Sequence, residues 1–258
     1  MLKKRLITTM LWNGTTLVKG QNFNNSRRAG SPITTIKIYN SRDVDEILFF
    51  DINKSREDRK FDYNFIRQLT DECNVPITIG GGIKKIYEIT DLLFAGADKI
   101  SINSETYENL DLVSKAAKKF GSQTIVVSID YKKIENKLVC FSHSGSKKQS
   151  QDPFNWAKKC TDNGAGEIIL TSIDHDGLMK GYDYDLLDKL SAKLNVPIVT
   201  SGGAGDYNHM LKAFQVGASA VAAASIYHFT EKTPTEAKRF LINKNIMVRK
   251  NFDIELAR

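Results

Sequence analysis

Short, almost unbroken apolar runs recur along the chain, and the stretches between them carry apolar residues at helical spacing. The runs are Leu6–Leu11, Ile47–Asp51, Pro76–Ile79, Lys99–Ile102, Thr124–Ile129, Glu167–Thr171, Pro197–Thr200 and Ala220–Ala223. This alternation reads as successive βα units feeding one parallel sheet. Between the runs, Phe65, Ile66, Leu69 and Cys73 fall on one face of a helix. Asp152-Pro153 is an N-cap followed by proline at the first helical position, and Asn163-Gly164 stops that helix. Thr233-Pro234-Thr235-Glu236 opens the last helix as a capping box. Eight strand signals are the number that closes a (β/α)8 (TIM) barrel.

An internal repeat strengthens that expectation. Val75-Pro76-Ile77-Thr78-Ile79-Gly80-Gly81-Gly82 recurs as Val196-Pro197-Ile198-Val199-Thr200-Ser201-Gly202-Gly203. The same offset carries Gly96-Ala97 onto Gly217-Ala218, Ser104 onto Ser225, and Glu46-Ile47-Leu48 onto Glu167-Ile168-Ile169. Two half-barrels of four βα units each explain this most simply. The expected organisation is one α/β barrel domain over residues 1–258, with half-barrels at about 1–121 and 122–245 and a C-terminal tail after them.

Composition removes several alternatives. A chain of 258 residues suits such a barrel, and 41% hydrophobic residues supply a large core. No run approaches the roughly 18 apolar residues of a membrane span. Met1-Leu2-Lys3-Lys4-Arg5 leads straight into the first apolar run, without the pattern of a secretory signal. Cys73, Cys140 and Cys160 form neither a paired framework nor a CxxC, so a reduced cytoplasm is the expected compartment. The net charge of +7 is dispersed and no nucleic-acid motif accompanies it, so the surplus suits a polyanionic small molecule. His143, His209 and His228 lack metal-ligand spacing, and neither a metal nor a cofactor is expected.

Chemistry is expected at the C-terminal face of the barrel, where loops follow strands. Gly80-Gly81-Gly82 follows the third run and Gly202-Gly203 the seventh. Glycines there let backbone N–H groups approach an anion with no Cβ in the way. Asn103-Ser104 and Ala224-Ser225 follow the fourth and eighth runs, each where a helix start can face a phosphate, and Asp176-Gly177 adds a turn beside the second cradle. Two cradles related by the repeat call for an elongated ligand with two phosphates and no membrane or nucleic-acid partner.

These residues resemble those of the cyclase subunit of imidazole glycerol phosphate synthase, a histidine-pathway barrel that receives ammonia from a partner glutaminase. The resemblance runs nearly end to end. It rests on Val18-Lys19-Gly20 with Asn22-Phe23, Ile79 to Ile83, Gly96-Ala97-Asp98-Lys99 with Ser101-Ile102-Asn103, and Ile129-Asp130. It continues through Gly164 to Glu167, Thr171 to Asp174, Asp176-Gly177 with Gly181-Tyr182-Asp183, Ser201 to Gly205, and Ala224-Ser225. It implies phosphate binding at Gly82, Asn103, Ser104, Gly177, Gly203, Ala224 and Ser225, and a loop lysine at Lys19. It implies an ammonia gate of Arg5, Glu46, Lys99 and Glu167 at the N-terminal end of the barrel, where a glutaminase docks to form a heterodimer. It also implies an enzyme: a subunit of a glutamine-dependent synthase of the lyase and cyclase type.

One position departs from the pattern. The resemblance implies two facing aspartates at the ends of the first and fifth strands, one acting as general acid and one as base. Asp130 matches the second, but the first falls at Leu11. Asp51 and Asp176 lie near enough in sequence to the mouth to substitute. Asn53, His175, Leu178 and Met179 also depart around the mouth, the last two as apolar bulk beside the second cradle; His175 reads as a solvent-exposed loop residue rather than a new acid or base. With the gate complete and the catalytic pair broken, the leading expectation is a paralogue of the surface-polysaccharide type. Such a protein would relay ammonia to a separate sugar amidotransferase. The alternative is a true cyclase, making imidazole glycerol phosphate and an aminoimidazole carboxamide ribotide, with a rearranged acid–base set.

Overall fold

The computed structural model describes residues 3–57 and 59–249. Its eight parallel strands are β1 (Arg5–Trp12), β2 (Glu46–Asp51), β3 (Ile77–Gly80), β4 (Lys99–Ile102), β5 (Ile125–Ile134), β6 (Glu167–Ser172), β7 (Ile198–Ser201) and β8 (Ala220–Ala223). Each pairs with the next, and β8 pairs back onto β1 with Arg5 opposite Ala220, so the sheet closes into a (β/α)8 barrel. The eight expected strands are all present, with shifted ends. Pro76 and Pro197 stand just before β3 and β7, where each carbonyl accepts a neighbouring strand's N–H without a donor being needed. Thr124 belongs to a 3-10 turn rather than to β5.

Outer helices follow the strands. Asp152 caps Pro153–Asp162 by accepting the N–H groups of Phe154 and Asn155, and Thr233 with Glu236 forms the capping box of Pro234–Asn243. Ile66 and Leu69 are the buried face of Tyr63–Asp71; Cys73 lies beyond that helix, because the chain turns at Glu72. The tail expected after residue 245 is described as far as Arg249; residues 250–258 and Met1-Leu2 lie outside the described residues. No helix among the described residues is long and apolar enough to cross a membrane.

Alternation along the strands sorts the barrel interior into layers. Arg5, Glu46, Lys99 and Glu167 are the first residues of β1, β2, β4 and β6 and meet at the N-terminal end. Above them Ile7, Leu48, Val126, Ile169, Val199, Ala220 and Ala222 form a separate apolar core inside the barrel, with Phe50 packed on it. Burying each of the larger side chains there stabilises by about 1.5–3 kcal/mol.

Two hairpins unforeseen in the sequence rise over the C-terminal end. The first pairs Leu17–Gln21 with Asn24–Gly30, turning through Asn22 and Phe23, both at positive φ. In the second, the outer end of β5 pairs with Lys137–Ser142 through Glu135-Asn136, also at positive φ. Asparagine tolerates that left-handed backbone, which sets the tight turns.

Candidate active site

The loops and strand ends of the C-terminal face enclose a cavity of about 450 Å³. Its floor continues the inward positions of the strands. Thr9, Ser101, Ser128, Thr171 and Ser201 give it a layer of hydroxyls, and Leu11, Asn103 and Asp130 stand one step higher. Leu11 and Asp130 come from β1 and β5, half a barrel apart. Thus the position opposite the one central carboxylate is hydrocarbon, continued by Val18, Phe23 and Phe50 on the same lining.

Asp130 is only 8% exposed, and its Oδ2 accepts from Asn103 Nδ2 at 2.8 Å. Burial pushes its carboxyl up to about 7, and the nearby Asp176 charge adds to this, while hydrogen bonds from Asn103 and Thr171 work the other way. Asp176 lines the same cavity and forms an ion pair with Lys19, itself 4% exposed. Burial raises the Asp176 carboxyl as well, against the pull of the Lys19 charge. The first hairpin holds this pair in place: Asn22 N–H donates to the Asp176 carbonyl at 2.8 Å, and Asn22 Nδ2 donates to the Ile173 and Asp174 carbonyls.

Asp51 also lines the cavity but is committed to its own loop. Its Oδ1 accepts the N–H groups of Asn53 and Lys54 and pairs with Arg59 at 2.6 Å. Of the two aspartates expected as substitutes, Asp176 is therefore paired with a lysine ammonium and Asp51 with a guanidinium.

Both glycine cradles line the cavity, Gly82, Asn103 and Ser104 at one side and Gly177, Gly203, Ala224 and Ser225 at the other. Gly81 and Gly82 have φ of 120° and 57°, and the repeat partners Gly202 and Gly203 have 84° and 118°. A Cβ at Gly81 would stand 2.2 Å from the Asp51 carbonyl oxygen, and one at Gly203 would stand 2.0 Å from the Gly181 carbonyl oxygen. The helices expected to aim their starts at a phosphate, Ser104–Glu108 and Ser225–Phe229, have five residues each. They are single turns with little dipole to offer, so what they present to the cavity is individual N–H and O–H groups.

One expectation at the mouth needs correction. His175 is half-buried against Gly203 rather than solvent-exposed, and its Nδ1 is buried with no hydrogen-bond partner among the described residues. Leu178 and Met179 lie outside the cavity lining, and Met179, at a φ of 58°, packs against Gly205 beside the second cradle. Asn53 is likewise outside the lining and bonds Asn13 and Glu57. Conversely, Arg56, Lys84 and His143 line the cavity without having been anticipated as site residues: Arg56 sits in the four-residue helix Lys54–Glu57 and the other two in loops, none within a local motif.

At the opposite end the four expected gate residues form a closed ring of alternating charge. Arg5 Nη1 meets Glu46 at 2.7 Å, and Arg5 Nη2 meets Glu167. Lys99 Nζ meets Glu46 at 3.1 Å and Glu167 at 2.9 Å. Burial and the four-way pairing leave Arg5 held firmly charged and Glu167 lowered from the ordinary carboxylate range, the pairing outweighing the cost of burial in each.

Fold and site together define a (β/α)8 barrel with a cavity of about 450 Å³ at its mouth, an acidic centre and a charged plug at its base. The histidine biosynthesis protein family matches residues 11–233, and the chain belongs to that family. It is 40% identical to imidazole glycerol phosphate synthase subunit HisF of Chlorobium phaeobacteroides (strain DSM 266 / SMG 266 / 2430) over 250 residues, covering 96% of this chain and 100% of the relative. It is 45% identical over 234 residues to the subunit HisF of Endomicrobium trichonymphae, covering 90% of each chain. With that of Dehalococcoides mccartyi (strain ATCC BAA-2100 / JCM 16839 / KCTC 5957 / BAV1) the identity is 42% over 250 residues, covering 96% of this chain and 99% of the relative.

Proposed function

We propose that this barrel keeps the ammonia path and glutaminase-docking end of the imidazole glycerol phosphate synthase cyclase subunit and relays the ammonia to amidation of a surface sugar by a separate amidotransferase. The carrying observation is the contrast between its two ends. The ring of Arg5, Glu46, Lys99 and Glu167 is closed by four ion pairs, whereas position 11 offers no proton to a reaction at Asp130. Such a ring excludes bulk water and ions and admits a small neutral molecule when one member moves. Past it, the small Ala220 and Ala222 of β8 leave the narrowest side chains in the apolar layer, and the hydroxyl floor can both donate to and accept from ammonia.

Exposed apolar groups support docking at the N-terminal end. Phe94 is 78% exposed at the last residue of its helix, and Met247 is 52% exposed where its carbonyl binds Lys4 ahead of β1. In a barrel of this kind helices run back from mouth to base, so both stand on the base around the ring. At the mouth, the two cradles and the enclosed volume support an elongated small bisphosphate as ligand.

A second reading, a true cyclase with a rearranged acid–base set, draws on the Lys19–Asp176 pair facing the same cavity as Asp130. Cleavage of the histidine-pathway ribulosyl substrate, supplied with ammonium salt and no glutaminase, separates the two. Losing one acid or base costs about 10²–10⁴ in rate, so the relay reading expects turnover at least a hundredfold below an ordinary cyclase. Turnover near an ordinary cyclase overturns it in favour of the second reading.

A further inference from the structure

Three basic side chains, Arg56, Lys84 and His143, line the cavity at the first cradle. Gly82 backs onto the short helix Lys54–Glu57: a Cβ built on it would lie 2.9 Å from Ser55 N, and its carbonyl accepts from Lys54 Nζ at 2.8 Å. Arg56 is the next residue of that wall. On the other side, His143 N–H donates to Ser104 Oγ at 2.9 Å. The two sides are clasped together, since Arg56 Nε donates to the His143 carbonyl at 3.1 Å and Arg56 Nη2 to the Ser144 carbonyl at 2.8 Å. Ser144 Oγ donates to the Ile52 carbonyl at 2.6 Å.

The clasp leaves charge unspent. A guanidinium has five N–H donors, two of which are used here on neutral carbonyls, and no carboxylate pairs with Arg56 among the described residues. Glu105 and Glu108 line this end too, but Glu108 is held by Lys147 at 2.7 Å. At the second cradle the lining cation is Lys19, and Asp176 already neutralises it. The two cradles therefore share glycine geometry and differ in charge.

We propose that Arg56 and His143 recognise phosphate at the first cradle and so fix which way round an elongated ligand sits, its more highly charged end on this side. The inference rests on the two-phosphate reading of the cavity given above. A planar fork matches phosphate oxygens two at a time, which a lone ammonium cannot do. The surroundings of His143 fit an anion site. Burial, then the Lys147, Lys84 and Arg56 charges, hold its imidazole below the ordinary range, with Glu108 opposing them and Ser142 Oγ 2.9 Å from Nδ1. A phosphate dianion among these groups reverses the local sign and draws the imidazole pKa upward.

The chain has four histidines, which makes each a usable NMR reporter: His143 for the first cradle, His175, against Gly203, for the second. Titrating the histidine-labelled protein with inorganic phosphate should move the His143 resonance and raise its pKa. Arg56→Gln should weaken the phosphate affinity read at His143 about tenfold, and Arg56→Lys should recover only part of it. Arg56 is exposed, so both variants should fold, as the His209 and His228 resonances would report. Unchanged affinity at His143 in Arg56→Gln overturns the assignment of Arg56. A response at His175 alone overturns the inference and leaves a phosphate-binding cavity standing, while no response at either histidine overturns both.

Discussion

At the scale of single residues, position 11 decides what the mouth can do. Leu11→Asp places a carboxylate across the cavity from Asp130. Under the relay reading, cyclase turnover in that variant rises at least tenfold, measured with ammonium as nitrogen source. Leu11 is half-buried beside Val18 and Phe50, so the charge costs about 1–3 kcal/mol in a urea unfolding series. Asp130 gives a pH-dependent counterpart. Its folded pKa of about 7 lies above the ordinary carboxylate value, so the native state holds a proton that the unfolded chain releases. Stability from this group is intact in acid and drains away as pH rises toward 7, at about 1.4 kcal/mol per pH unit within that window. Asp130→Asn removes the dependence. Its advantage over the parent chain should therefore be largest near neutrality and shrink toward pH 4, as unfolding midpoints across pH will show. Residue types at the centre were legible in the sequence, but partnerships were not: Lys19 finds Asp176 and Asp51 finds Arg59 only through folding.

At the scale of elements, the barrel strands were readable because each is buried on both faces and nearly continuously apolar. The hairpins over the mouth were not, for the opposite reason. Asn24–Gly30 is polar and largely exposed along its length, and a strand that buries almost nothing leaves no period in the sequence. The half-buried setting of His175 was missed because its neighbour Gly203 comes from the loop after β7, outside its own segment. The glycine cradles were legible as motifs, and their backbone explains the residue type. Gly81 has a φ of 120°, and a methyl on it would sit 2.2 Å from the Asp51 carbonyl oxygen. Gly81→Ala is expected to lower stability by about 2 kcal/mol or more through both strain and clash, read from chemical denaturation. The loss should also weaken phosphate binding at this cradle, since Asp51 anchors the loop that carries Arg56.

At the scale of the whole molecule, the proposed function assigns different work to the two ends of the barrel, and each can be disabled alone. Phe94→Asp combined with Met247→Asp should abolish co-elution with a glutaminase in gel filtration while leaving the unfolding midpoint within about 0.5 kcal/mol, because both side chains are on the surface. Retained co-elution would move the docking face elsewhere. The base itself is not symmetric in how its charges are held. Arg5 reaches Glu46 and Glu167 with separate nitrogens of a rigid plane, whereas Lys99 reaches both with one nitrogen on a flexible stem. Under the relay reading, four side chains arranged this way would act as a door with a fixed hinge and a sliding bolt. Swinging Lys99 aside leaves both glutamates still bridged by Arg5, so the strand ends stay tied while the passage is open. Withdrawing Arg5 would instead free β1 and break two contacts made by separate nitrogens of one rigid plane, with Lys99 still bridging the glutamates, so under the relay reading the lysine is the side that moves.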